Sequence, residues 1–271
     1  MKMKLNFWAV MIAALTLVCA ACTPKDTDNK QLVLYYSQTG STKAVAEEIR
    51  KMLDTDIEVI ELVNPYTGTY DETLQRVRME RESGNLPKLK PLKADLSMYE
   101  VIYLGYPIWF GTYALPIASL VKENDFEGKK IVPFCTFGSG DMESAMEDLK
   151  KALPKAEIAE HGFGMRDVRV AEAAKELNRF LIERGYMDGQ VEALPGYSEM
   201  RPVTEEEKQI FDAACKDYKY PLGTPILAGK RGTPDGVDYI YEVETYGKRN
   251  TVFVTVGHEE GAKPEFTRVV R

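Results

Sequence analysis

Ser37-Gln38-Thr39-Gly40-Ser41-Thr42 sets four hydroxyl side chains and one glycine between an apolar run, Leu32–Tyr36, and a helical pattern. Residues of these types at this spacing can hold an anion. The hydroxyls donate, the glycine lets backbone approach closely, and the helix start offers free N–H groups and the positive end of its dipole. A phosphate dianion suits such a loop, and no lysine is needed. The order is not Gly-x-x-x-x-Gly-Lys-Ser/Thr, which argues against triphosphate hydrolysis, nor the Gly-x-Gly-x-x-Gly of dinucleotide sites. Taken alone, the loop reads equally well as a hydroxyl-rich helix cap.

Two further stretches bear on the same chemistry. Gly105-Tyr106-Pro107-Ile108-Trp109-Phe110-Gly111-Thr112-Tyr113 holds four aromatic residues within eight positions, Tyr106 to Tyr113. Loops between strands and helices are ordinarily polar surface. A flat aromatic ligand accounts for such a loop; so does a cover for a sheet edge, or packing on a second domain. Thr136-Phe137-Gly138-Ser139-Gly140-Asp141 has glycines that let backbone reach the polar rim of a planar ring, and it also reads as a flexible turn. The three together describe a ligand with a phosphate at one end and a large planar ring at the other.

The elements that must position these loops alternate. Gln31–Tyr36 is a continuous apolar strand of the kind buried on both faces. In 41–53, Val45, Ile49, Met52 and Leu53 share a helical face. Asp56–Val63 is a strand, Asp71–Ser83 a helix, Val101–Gly105 a strand and 113–123 a helix. Ile131–Cys135, Met142–Leu153, Glu157–His161 and Val170–Arg184 continue as strand, helix, weak strand and helix. This order predicts an α/β fold: a three-layer α/β/α sandwich around a five-stranded parallel sheet. Ligands of such sheets bind beyond the carboxyl ends of the strands, where all three loops fall. Pro133 sits awkwardly in a central strand, where it removes a ladder donor; a bulge is the one local account.

On these residues the sequence resembles the flavodoxin-like family, whose phosphate loop Ser/Thr-x-Thr-Gly-x-Thr is matched by Ser37 to Thr42. It is most similar to members carrying "GYPIWFG" (105–111), "DFEGKKIVPFCTFGSG" (125–140) and "NPYTGTYDETLQRVRMERESGNLPKL" (64–89). The resemblance covers residues 31 to about 186. It implies strand order 2-1-3-4-5, a proline accepted in the fourth strand, and non-covalent flavin mononucleotide (FMN). It also implies roles by position. Ser37, Gln38, Thr39, Gly40, Ser41 and Thr42 surround the phosphate. Tyr106, Pro107, Ile108, Trp109, Phe110 and Gly111 flank the isoalloxazine, and Thr136, Phe137, Gly138, Ser139 and Gly140 face its polar edge. The Phe110–Gly111 peptide is expected to turn toward the reduced ring.

Composition shifts near residue 186, where Gly185, Gly189, Pro195, Gly196 and Pro202 punctuate a connector. Thr204 to Glu207 is a capping box that opens a helix with Ile210, Phe211 and Ala214 inward. Period-two patterns follow at Tyr239–Val243 and Val252–Val256, with a last strand at Phe266–Val270. Residues 200–271 therefore read as a small α+β domain with an antiparallel sheet, after a first domain at 31–188. It faintly resembles a cystatin, but the inhibitory Gln-x-Val-x-Gly hairpin is replaced by Leu227-Ala228-Gly229 and no tryptophan follows Trp109. A docking or scaffold module is the expectation.

The chain of 271 residues has a net charge of −7, which argues against a nucleic-acid partner. Lys2 and Lys4 precede an apolar run from Phe7 to Ala21, a signal peptide pattern over 1–21. Small residues just before Cys22 resemble a bacterial lipoprotein processing site. Lipid is then expected on Cys22, with 22–30 as a polar tether; a plain cut after Ala21 is the alternative. Cys135 and Cys215 form no Cys-x-x-Cys, so a thioredoxin-type dithiol is absent, and a disulfide between them depends on whether the fold brings them together; His161 and His258 lack a ligand pattern, which argues against a metal. The sequence thus predicts an exported, lipid-anchored FMN redox protein on the periplasmic side or cell surface. Its unidentified redox partner is expected to be a membrane quinone or a reductase. A flavin-free binding module of the same shape is the alternative.

Overall fold

The computed structural model describes residues 30–138 and 142–270. The signal segment, Cys22, the tether up to residue 29, and Ser139 and Gly140 lie outside them.

The first sheet is built on β1 (Gln31–Tyr35), with β2 (Asp56–Val59), β3 (Val101–Trp109), β5 (Lys130–Phe137) and a fifth strand in two pieces, β6 (Glu157–Ile158) and β7 (Phe163–Arg166). These pair in parallel in the order β2-β1-β3-β5-β6, with β7 also on β5. Counting parallel strands only, that is the expected 2-1-3-4-5. The two-residue β4 (Thr112–Tyr113) pairs antiparallel with the end of β3.

β1 shows why its sequence is apolar throughout. Leu32 and Leu34 enter the core under α3 (Leu115–Glu123) and α4 (Glu143–Ala152), while Val33 and Tyr35 enter the opposite core. Ile117, Leu120, Ala145 and Leu149 close the first face, joined by Val77 of α2 (Tyr70–Ser83). Val45, Ala46 and Ile49 of α1 (Ser41–Leu53) close the second with Ala173, Leu177 and Leu181 of α5 (Ala173–Glu183). The result is the three-layer α/β/α sandwich.

Three sequence expectations change, and one open point closes. β2 stops at Val59, because the chain then leaves β1: Val63 N–H donates to Lys88 O and Lys90 N–H to Glu61 O. The third strand does not end at Gly105. Residues 105–107 pair with Phe134–Thr136 of β5, so the aromatic stretch is a strand ending in a hairpin, not a strand-to-helix loop. A 3₁₀ turn at Asp167–Glu172 delays α5, expected from Val170. No disulfide joins Cys135 and Cys215.

Pro133 now has an account. Lys129 and Ile131 turn their carbonyls to the fifth strand, accepting from Glu157 and Ala159. Pro133 shares their parity, so its missing N–H faces the same side. There the fifth strand is interrupted, at residues 159–162, between β6 and β7. A methyl group at Gly162 would lie 2.6 Å from Pro133 O, so the crossing backbone is close as well.

The second sheet is antiparallel, β12-β11-β10-β9-β8, formed by β8 (Arg201–Pro202), β9 (Thr224–Thr233), β10 (Gly236–Thr245), β11 (Lys248–Gly257) and β12 (Glu265–Val270). Phe211 of α6 (Glu205–Cys215) packs on Tyr241, Val243, Val252 and Val254. The expected capping box is present: Thr204 accepts from Glu207 N–H, and Glu207 accepts from Thr204 N–H. Arg201 holds both oxygens of the buried Glu207, at 2.8 and 3.0 Å. Burial raises the Glu207 pKa, but hydrogen bonds from Thr204 and Arg201 outweigh it and hold it below the usual 4.5. A folded pKa depressed in this way gives stability that is present above about pH 4.5 and is lost as pH falls through the depressed value. Melting of the C-terminal unit is therefore expected to fall with acidification below that point. In Glu207→Gln the slope should flatten; equal slopes would remove Glu207 as the cause.

Candidate functional site

The carboxyl ends of β1, β3 and β5 bring the three stretches to one edge. After Tyr36 the chain bends through Ser37 to Thr39, and Gly40 opens α1 with φ 97°. That left-handed conformation favours glycine. Gly40 N–H donates to Ser37 Oγ at 3.2 Å. The first helical bond, Ala44 N–H to Gly40 O, leaves the amides of Ser41, Thr42 and Lys43 outside the helix ladder. No side chain caps this turn and none of its residues is acidic. By contrast, α2 and α6 each carry a complete Thr/Glu capping box. Among the described residues, the first turn of α1 is thus a set of donors without a side-chain acceptor. Thr39 and Gly40 are exposed beside it.

The six loop residues do not all face outward. Thr42 and Thr136 are buried and share a hydroxyl hydrogen bond of 2.8 Å. That bond ties the helix start to the end of β5. Gln38 accepts from Tyr36 Oη at 2.5 Å and donates to Tyr66 O at 3.0 Å. Its amide therefore fastens the first loop to the segment between β2 and α2.

Trp109 stands between two tyrosines. Its ring meets Tyr36 at 5.8 Å and Tyr66 at 5.3 Å, both nearly perpendicular. Tyr66 Oη donates to Glu80 at 2.5 Å, Glu80 pairs with Arg76 at 2.9 Å, and the Arg76 guanidinium lies 4.2 Å over the Tyr66 ring. Burial, and for Tyr66 the Glu80 carboxylate, push both phenols well above their ordinary pKa, so they stay neutral donors. Phe110 and Gly111 form the two-residue turn between β3 and β4, with φ 53° and 79°. Such a turn needs positive φ twice, which glycine takes freely and phenylalanine rarely does. Phe110 is 46% exposed, and Arg78 and Arg81 of α2 lie 5.9 and 5.1 Å from its ring.

Tyr106 is fully buried in the core, whereas Pro107 and Ile108 are half-buried. Pro107 pairs with Thr136 in the ladder. Phe137 is buried at the end of β5 and Gly138 is exposed. Gly138 O accepts from Nε and Nη2 of Arg166, both at 3.4 Å.

Tyr36, Tyr66, Arg76, Glu80 and Arg166 thus join the site from the structure alone. For Arg76 and Glu80 a signal was present, an i,i+4 charge pair on the second crossover helix. For Arg166 there was none, since its partners lie far along the chain.

A family model described as Flavodoxin matches residues 30–177. Among solved structures, a candidate flavoprotein from Bacteroides eggerthii DSM 20697 is similar with TM-score 0.51 and 26% identity, over 58% of this chain and 98% of its own. One from Bacteroides uniformis ATCC 8492 is similar with TM-score 0.50 and 26% identity, over 55% of this chain and 98% of its own. A flavoprotein in complex with FMN from Lactobacillus acidophilus NCFM has TM-score 0.46 and 21% identity, over 54% and 99%. No curated protein matches the chain.

Proposed function

The chain belongs to the flavodoxin family, and from that premise we propose that its first unit binds FMN without a covalent bond and serves in electron transfer. The observation that carries this is the uncapped first turn of α1, set at the carboxyl end of β1 beside the Trp109 strand end. Ser41, Thr42 and Lys43 amides, with the exposed Thr39 hydroxyl, would hold the phosphate. Gly40 keeps a side chain away from it, and a methyl group there would meet nothing within 4 Å. The half-buried Trp109 and the Phe110–Gly111 turn would border the ring, and the Thr136–Gly138 backbone its polar edge. Bound FMN would supply one- and two-electron transfer. The protein's part is to orient the ring, with neutral Tyr36 and Tyr66 fixing the Trp109 wall between them.

The same proposal takes Cys22 as a lipid anchor and a membrane quinone or reductase as the redox partner. It rests on the sequence pattern of residues 1–22. Purified protein is expected to quench FMN fluorescence on titration; an unchanged signal would remove the redox reading. Cys22→Ser is expected to release the protein from the membrane fraction, and retention there would remove the anchor.

A further inference from the structure

We infer that the C-terminal unit sets the third loop of the proposed flavin site through one side chain, Arg166, a positioning residue for the backbone at Gly138; the link to flavin rests on the reading above. Arg166 is the last residue of β7 and pairs in register with Phe137. Its guanidinium reaches in two directions. Nε and Nη2 donate to Gly138 O at 3.4 Å, and Nη1 donates to Phe266 O of β12 at 3.2 Å. The Phe266 ring lies 4.6 Å from the guanidinium and the Tyr218 ring 5.6 Å. Those two rings lie 4.5 Å apart, tilted by 37°, so the C-terminal unit gives the arginine a backing of two adjoining rings.

A rigid planar fork suits this position. It bonds two carbonyls of two different units while its face rests on rings, which a lysine cannot do. Crowding does not pin Gly138: a methyl group there would lie 3.6 Å from Asp167 Oδ2, an ordinary contact. Other bonds cross between the units, but they sit elsewhere. Lys175 of α5 pairs with Asp235, and Arg169 approaches Glu265 at 3.9 Å; neither touches a ligand loop. Exposed pairs of the Lys175 type contribute little. Arg166 is the side chain through which the second sheet meets the site.

The test uses the full chain with Arg166→Ala, Arg166→Lys and Tyr218→Ala. Hydrogen exchange over Thr136–Gly138 is measured without flavin, and FMN and riboflavin are titrated separately. Arg166→Ala is expected to speed exchange in that segment and to weaken both flavins by the same factor, about tenfold, since the phosphate end is untouched. Arg166→Lys should restore little of either. Tyr218→Ala, which removes the farther of the two backing rings and leaves Phe266, should move both readouts the same way by roughly threefold. Unchanged exchange in Arg166→Ala, or wild-type behaviour of Tyr218→Ala in both readouts, would overturn the inference. If wild-type protein binds no flavin while Arg166→Ala still speeds exchange, the coupling stands and the flavin reading falls. If Arg166→Ala does not fold, Tyr218→Ala and Arg166→Lys decide the matter by the same two readouts.

Discussion

Trp109→Ala is expected to weaken FMN and riboflavin alike, by on the order of a hundredfold. An aromatic wall contributes roughly 0.5–1.5 kcal/mol beyond burial, and the buried area raises the total to about 2–3 kcal/mol. Riboflavin lacks the phosphate, so an equal loss for both ligands places the effect at the ring. Thr39→Ala is the contrast. Its hydroxyl is exposed at the uncapped helix start, so it should weaken FMN and leave riboflavin nearly unchanged. The structure also supplies the competing outcome. The Trp109 ring is wedged edge-on between Tyr36 and Tyr66, and removing it leaves a gap between them. If the melting temperature falls while both affinities hold, Trp109 packs the sheet edge and the ring lies elsewhere.

Gly105→Ala is expected to destabilise the first unit by about 3 kcal/mol, at the upper end of the range for overpacking a core. Gly105 pairs in register with Phe134 on the neighbouring strand, and an added methyl group would overlap that ring. Phe134 is almost fully buried, so its ring has nowhere to swing. A double-mutant cycle checks this. With Phe134→Leu in place, Gly105→Ala should cost much less than in wild type, as expected for residues that touch. Additive denaturation midpoints would mean that Gly105 matters for another reason, such as backbone conformation.

Much of this was legible in the chain. The order of strands and helices followed from apolar periodicity, because the central parallel strands β1, β3 and β5 are buried on both faces and each helix on one. The phosphate-loop candidate was visible because hydroxyl and glycine residues at a strand-to-helix junction suit an anion, and the aromatic and glycine stretches beside it separated that reading from a plain helix cap. What failed was set by partners distant in sequence. The glycine and proline at 105 and 107 read locally as the end of a strand, yet β5 runs on beside them and keeps the ladder going. The hydrogen bond that Thr42 shares with Thr136, 94 residues away, could not be foreseen from either segment. Tyr36 and Tyr66 could not be placed beside Trp109, since nothing in either segment specifies the other.

The broken fifth strand has a consequence for how copies of the chain meet. A long, flat rim of unpaired amides and carbonyls invites another chain to add itself as a strand, the first step of aggregation. Here one rim is β6 and β7, two and four residues long with a gap between them, and the other is β2, four residues long. On the second sheet one edge, β8, has only two residues, one of them Pro202, and the other is the six-residue β12. The irregularity opposite Pro133 therefore leaves that rim of the first sheet without a continuous template on which a neighbouring copy could add a strand.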